Sequence, residues 1–261
     1  MSPGWIILNN LERKSIMDKQ NTGVYTTETK IRYSECGASR QLRLYSILDY
    51  LQDTCTFQAE ELGVGLSYMQ EHQTAWVLNS WQAQIDRYPV FGETIRIATW
   101  PYDFHGLFGY RNFQVTDAED HVIVRAASVW VFMNIKTGRP ARIAPEVAAA
   151  YQTEPRLAMD YKDRKIQDFE AALTKEQPEP FRIPRHFIDT NHHMNNAKYV
   201  LLAEELLPQE IQPVRIRAEY KKPAVYGDIL YPSVRKRPDG WSVRLGGTDG
   251  KPYALLEFDE S

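Results

Sequence analysis

Residues 89–95 read Pro89-Val90-Phe91-Gly92-Glu93-Thr94-Ile95, and residues 223–230 read Pro223-Ala224-Val225-Tyr226-Gly227-Asp228-Ile229-Leu230. Each runs from a proline through an aromatic and a glycine into an acidic residue and a β-branched strand start. Each also links the first strand after a helical segment to the next strand. Working outward, residues 42–62 set Leu44, Ile47, Leu48, Leu51, Cys55 and Leu62 on one face at helical spacing, and Gly63 suits the position just past a helix. Trp76–Asp86, Thr94–Trp100, Gly109–Thr116 and His121–Asn134 follow, rich in β-branched and aromatic residues, with a turn at Asp117-Ala118-Glu119-Asp120.

The second half repeats the order. A short strand near Arg182–Phe187 leads through a polar loop to an apolar helix at Ala197–Leu207, closed by Pro208. Val214–Lys221 then alternates: Val214, Ile216, Ala218 and Tyr220 face one way, and Arg215, Arg217, Glu219 and Lys221 the other. Strands near Ile229–Arg235, Trp241–Gly246 and Tyr253–Phe258 complete it. The pattern predicts an α+β duplication, each long helix packed on an antiparallel sheet. The alternative is two independent α+β domains with no shared site. Domain bounds are an N-terminal tail at 1–22, a first unit at 23–144, a polar surface linker at 145–177 and a second unit at 178–261. Met17 is a candidate internal start.

Composition narrows the function. With 43% hydrophobic and 25% charged residues the chain is globular, and its net charge of −3 offers no basic face for nucleic acid. No apolar run reaches the roughly 18 residues that span a bilayer. Near the N-terminus the basic residues follow the run Trp5-Ile6-Ile7-Leu8, the wrong order for a secretory signal. Cys36 and Cys55 are too few for a disulfide framework and read as buried thiols, so a reducing cytoplasm is expected.

Candidate chemistry concentrates in Arg185-His186-Phe187-Ile188-Asp189-Thr190-Asn191-His192-His193-Met194-Asn195-Asn196, just ahead of the second helix. Asn195 or Asn196 can cap that helix, whose N-terminus presents free N–H groups and partial positive charge. Thioester hydrolysis needs a base for water and donors for the oxyanion. His193 can be the base, Asn191 can orient water or donate to the oxyanion, and Asp189 can fix the imidazole or hold the loop. In extended chain His192 would point away from His193. The bland reading is that Asx residues before a helix are caps and turns. A serine nucleophile elbow, a C-x-x-C pair and an H-E-x-x-H zinc motif are all absent from the sequence. Gly63-Val64-Gly65 lacks the third glycine of a dinucleotide loop and ends a helix instead.

At this segment the sequence resembles the acyl-acyl carrier protein thioesterases of plants and bacteria. Their second half carries D-x-N-x-H-x-N-N-x-x-Y, matched by Asp189, Asn191, His193, Asn195, Asn196 and Tyr199. The likeness extends through Trp76-Val77, Tyr88-Pro89-x-x-Gly92, Ile97-x-Thr99-Trp100 and Ser128–Asn134, and covers about residues 24–258. It implies a tandem hotdog fold, in which each long helix lies in a curved antiparallel sheet. It also implies hydrolysis of acyl carrier protein thioesters to free fatty acid without metal or organic cofactor. By the same resemblance Asp189, Asn191 and His193 are catalytic, and the first half shapes the acyl pocket.

One departure stands out. Relatives commonly carry a Glu, followed in plant forms by Cys, after the first strand of the second half, where this chain has Pro223 and Ala224. Either His193 suffices, or another carboxylate reaches the site, or activity is low. Glu219, on the same strand face but about 13 Å away along a regular strand, is a poor substitute. The rival readings are a coenzyme A thioesterase or hydratase on the same fold, and a non-catalytic acyl-binding or regulatory protein. Trp76, Trp81, Trp100 and Trp130 can line an acyl pocket or simply form core. Arg182, Arg185, Lys221 and Lys222 can meet an acidic carrier protein or stay solvated.

Overall fold

The computed structural model describes residues 23–169, 178–208 and 211–260. The expected tail at 1–22 lies outside the described residues, as does the 170–177 part of the expected linker. The first half contributes β1 (Tyr25–Lys30), α1 (Leu44–Glu61), α2 (Leu66–Glu71), β2 (Thr74–Ile85), β3 (Thr94–His105), β4 (Phe108–Thr116), β5 (Val122–Asn134) and β6 (Arg139–Pro140). After α3 (Pro145–Ala150) come β7 (Phe181–Arg182), α4 (Asn196–Glu204), β8 (Arg215–Tyr220), β9 (Ile229–Arg237), β10 (Gly240–Gly246) and β11 (Pro252–Asp259).

These strands form one sheet in the order β1-β3-β4-β5-β2-β8-β11-β10-β9-β7, with β6 on β5. Read outward from the centre, β2-β5-β4-β3-β1 and β8-β11-β10-β9-β7 are the same topology. The halves join where β2 pairs antiparallel with β8, Trp81 opposite Ala218 and Ala83 opposite Ile216. Each half's exposed edge is thereby covered by the other. The tandem hotdog arrangement expected from the sequence is the one observed, and the halves share a core instead of standing as independent domains.

Local chemistry explains the elements. Helix α1 buries Leu44, Ile47, Leu48, Leu51 and Cys55 at helical spacing, each large apolar side chain stabilising by about 1.5–3 kcal/mol. It ends at Gly63, φ 73°, where Val64 N–H donates to the Ala59 carbonyl and Gly63 N–H to the Glu60 carbonyl. Glycine takes this left-handed turn without a Cβ clash.

Two expectations need correction. The strand foreseen over Arg182–Phe187 is only two residues long and gives way to a 3-10 turn at Arg185–Phe187. Pro184, with no N–H for a ladder, instead accepts from Phe187 N–H and starts the turn. Helix α4 stops at Glu204, after which Leu206 and Leu207 bond to carbonyls three residues back. Residues 151–169 of the linker cross the outer face of the sheet as a strap, with Ile166 and Phe169 buried beneath it. Leu157 N–H donates to Asn112 Oδ1 (3.0 Å), Lys162 N–H to Gln82 Oε1 (2.8 Å) and Ile166 N–H to Glu219 Oε2 (2.7 Å). The strap covers the polar face of β8, so Glu219 is buried although it faces away from the core.

Candidate functional site

Two loops of one shape precede α1 and α4. Each follows a 3-10 turn, Tyr33–Glu35 or Arg185–Phe187, and closes with an isolated bridge, Cys36 to Leu42 or Ile188 to Met194. Gly37 N–H donates to the Gln41 carbonyl (2.9 Å), as Asp189 N–H does to His193 (2.8 Å). Arg40 and His192 occupy the same left-handed corner, φ 64° and 62°. Leu42 N–H reaches the Pro89 carbonyl and Met194 N–H the Ala224 carbonyl, each at 2.8 Å. Pro89 is therefore the counterpart of Ala224, one residue along from the pairing with Pro223 that the sequence suggests.

Only the side chains differ. Asp189 Oδ1 accepts from the backbone N–H of Asn191 (2.8 Å) and of His193 (3.3 Å). The carboxylate so bonded holds the loop backbone. Asn195 is the helix cap, its Oδ1 accepting from Ala197 N–H at 2.8 Å. The Tyr199 hydroxyl accepts the N–H of Ala224 at 2.9 Å. In the first half that donor does not exist, because Pro89 replaces Ala224 and Ile47 stands where Tyr199 does. The tyrosine that closes the motif thus has a physical reason: it satisfies a buried backbone donor.

Helix α1 is twice the length of α4, 18 residues against 9, and its extra turns roof a cavity of about 770 Å³. Gln52, Asp53, Cys55, Thr56 and Ala59 line it from α1; Trp76, Phe104, Arg111 and Trp130 line it from the sheet. From the second half come Asp189, Thr190, Asn191, His192 and Asn195. Of the four tryptophans noted in the sequence, Trp76 and Trp130 reach this wall, whereas Trp81 is central core.

Of the expected site residues, Asp189 and Asn191 stand on the wall. Both histidines are exposed, and only His192 is on the wall; His193 lies outside it. The segment is a tight turn, so the extended-chain alternation foreseen for the two histidines does not apply. Pro223 is exposed and also outside the wall. Glu219 bonds the strap and Lys221 Nζ (2.6 Å) on the outer face, away from the cavity.

Sequence reading missed three wall residues. Gln52 Oε1 accepts from Asn196 Nδ2 (3.4 Å), and one turn earlier Asp49 pairs with Lys198 (3.4 Å), so α1 is fastened to the start of α4. Asp53 lies beside this contact, its carboxyl raised above the usual range chiefly by burial and then by neighbouring Asp49. Arg111 is 7% exposed and donates from Nη1 to Gln58 Oε1 and to Thr99 Oγ1 (3.1 Å), with its guanidinium 5.3 Å from the Tyr151 ring. Among the described residues it has no carboxylate in ion-pair range. The available signal was the polarity of α1 after Leu51, where Gln52, Asp53, Thr54, Thr56 and Gln58 interrupt an apolar helix. Cys55 is no nucleophile here: burial pushes its thiol up to about 11, leaving it neutral.

Residues 22–151 match the family described as "Acyl-ACP thioesterase N-terminal domain", and residues 170–243 match "Acyl-ACP thioesterase C-terminal domain". The chain is 26% identical over 254 residues to the chloroplastic palmitoyl-acyl carrier protein thioesterase of Cuphea hookeriana, covering 91% of this chain and 59% of that protein. It is likewise 26% identical to oleoyl-acyl carrier protein thioesterase 2 of Arabidopsis thaliana, over 87% of this chain and 67% of that one. The chain spans about half to two-thirds of the length of the curated relatives it matches. Among solved structures, an acyl-ACP thioesterase from Bacteroides thetaiotaomicron superposes with a TM-score of 0.81 at 20% identity, covering 92% of this chain and 98% of that one. The 12:0-ACP thioesterase from Umbellularia californica gives 0.78 at 20%, with the same coverage. These two establish the shared fold. With both family domains matched in order across the two halves of the duplication, this chain belongs to the acyl-ACP thioesterase family.

Proposed function

We propose that this protein hydrolyses the thioester of a fatty acyl group carried on acyl carrier protein, releasing free fatty acid and carrier in fatty acid biosynthesis. One observation carries the reading: the polar loop Asp189–Asn195 forms one wall of a cavity whose remaining walls come from the helix and sheet of the other half. The acyl chain lies in the first half, and its carbonyl stops at the loop. Asn191 donates to the developing oxyanion or orients water, the dipole of α4 adds positive potential, and Asp189 keeps the loop shaped. The motif makes His193 the base. The neighbouring His192 on the wall makes the two histidines the pair to test.

The carrier is an acidic partner in this reading, met by Arg182, Arg185, Lys221 and Lys222 near the loop. Arg185 stacks on Tyr226 (5.1 Å), and Lys222 is held by Asp249 (2.9 Å). No described helix is long and apolar enough to cross a membrane. We infer a reducing cytoplasm as the compartment, in keeping with free Cys36 and Cys55. Cell fractionation with antibody detection tests that.

The deciding experiment is turnover of acyl carrier protein esters against matched coenzyme A esters across chain lengths, with product analysis. Free acid from the carrier ester supports the reading; a hydrated acyl chain points to a hydratase. Acyl binding without turnover would favour a non-catalytic binder, the second reading, which Pro223 motivates.

A further inference from the structure

The relatives' Glu position is Pro223 here, and proline cannot hold water or accept a proton. The acidic residue one strand segment back, Glu219, is committed to the strap and to Lys221 on the opposite face of the sheet. The cavity wall nevertheless has a carboxylate that has no ion-pair or hydrogen-bond partner among the described residues: Asp53 on α1.

Its position follows from how the helices meet. Asp49 contacts Lys198 and Gln52 contacts Asn196, so advancing along α1 means moving back along the second half toward its loop. Asp53 is the next residue, one α-helical turn beyond Asp49, and it shares the cavity with Asn195, Asn191 and Asp189. We propose that Asp53, contributed by the first half, is the carboxylate that holds the attacking water in the thioesterase reaction, the part that Pro223 cannot take. This rests on the hydrolase reading above.

The step balances as follows. One hydrogen of the water bonds to the Asp53 carboxylate, and the other proton passes to the loop imidazole as the water oxygen adds to the thioester carbon. The oxyanion so formed is met by Asn191. Its collapse breaks the C–S bond, and the imidazolium returns its proton to the departing thiolate. The hydrogen held by Asp53 becomes the hydroxyl proton of the carboxylic acid product. Asp53 must be ionised to act. The charged and titratable groups around it are Asp49 on its own helix, Arg32 and Glu35 in the turn before α1, Lys198 on α4, and Asp189 and His192 of the loop. Local desolvation at the cavity mouth and the neighbouring Asp49 push its carboxyl above the ordinary range.

The test compares native protein with Asp53→Asn and Asp53→Glu on acyl carrier protein esters, following kcat, KM and the pH profile, with circular dichroism as the folding control. Expected for Asp53→Asn is a fall of about 10²–10⁴ in kcat with KM little changed, together with loss of the carboxylate's share of the acid limb of kcat, which leaves the limb of the imidazole alone. Asp53→Glu should recover part of the rate and of that share. Near-native kcat in Asp53→Asn, or a reduced rate with a pH profile superposable on the native one, overturns the role while leaving the hydrolase reading standing. If native protein turns over no carrier ester, both fall together. Should Asp53→Asn fail to fold, Asp53→Glu decides: a rate indistinguishable from native across the whole pH range would count against a water held at one geometry.

Discussion

The loops Gly37–Gln41 and Asp189–His193 have the same backbone and opposite chemistry. The first carries Gly, Ala, Ser, Arg and Gln; the second Asp, Thr, Asn, His and His. Because Gly37 makes the turn with no side chain at all, the Asp189 carboxylate is not needed for the turn to form. Because Arg40 sits at the same left-handed corner as His192, neither does that corner require a particular residue. The backbone is the common inheritance of the fold, and the polar set at 189–193 is surplus to it. The same contrast holds one layer in. Gln52 and Glu204 are counterparts, each reaching the start of the other half's helix: Gln52 meets Asn196, and Glu204 lies by the backbone N–H of Tyr45. One is neutral at every pH. The other is a half-buried acid.

The sharpest way to break this comparison is at the histidines. His193→Ala is expected to lower turnover by about 10²–10⁴ if it is the base, with His192→Ala mild and Arg40→Ala silent. A larger loss at His192 than at His193 in steady-state assays would move the base to the residue on the cavity wall. Next comes the oxyanion donor. Asn191→Ala should cost about 10²–10³ in kcat, while the counterpart Ser39→Ala changes nothing; equal effects from both would mean the two loops are not functionally distinct.

The helix pair gives a stability contrast. Burial raises the Glu204 carboxyl to about 7 from an ordinary 4.5. The folded protein therefore holds a proton that the unfolded chain releases, and stability falls as pH rises from about 4.5 to 7. The loss is about 3 kcal/mol across that window. Glu204→Gln, which copies Gln52, should flatten that slope in urea unfolding measured at several pH values. A slope unchanged by the substitution would locate the titration elsewhere.

Tyr199→Phe removes the acceptor for Ala224 N–H and should cost about 1–3 kcal/mol. The counterpart pair Ile47 and Pro89 needs no such bond, so Ile47→Leu should cost less than ~1.5 kcal/mol; thermal melts rank the two. Smallest of all, Asp189→Gly copies Gly37. It should shift stability by about 1 kcal/mol or less, since the freed N–H groups are exposed and take water. Any fall in turnover beyond that belongs to chemistry at the loop.

Much of the architecture was legible in the chain. The spacing of Leu44, Ile47, Leu48 and Leu51, the glycine after Leu62 and the strand alternation are local periodicities, and each depends only on residues a few positions apart. So does the motif from Asp189 to Tyr199, whose spacing alone carried the family resemblance. What the sequence could not fix is anything that joins its two halves. The Gln52 to Asn196 bond spans 144 positions, and the strap from Ile166 to Glu219 spans 53. The one-residue register that makes Pro89 answer Ala224, the place of His192 rather than His193 on the cavity wall, and the arrival of Asp53 at the loop are all products of packing one half against the other. A helix pattern says which face is apolar, but it does not say which polar residue will meet a partner more than a hundred residues away. That is settled only when the two cores close on each other.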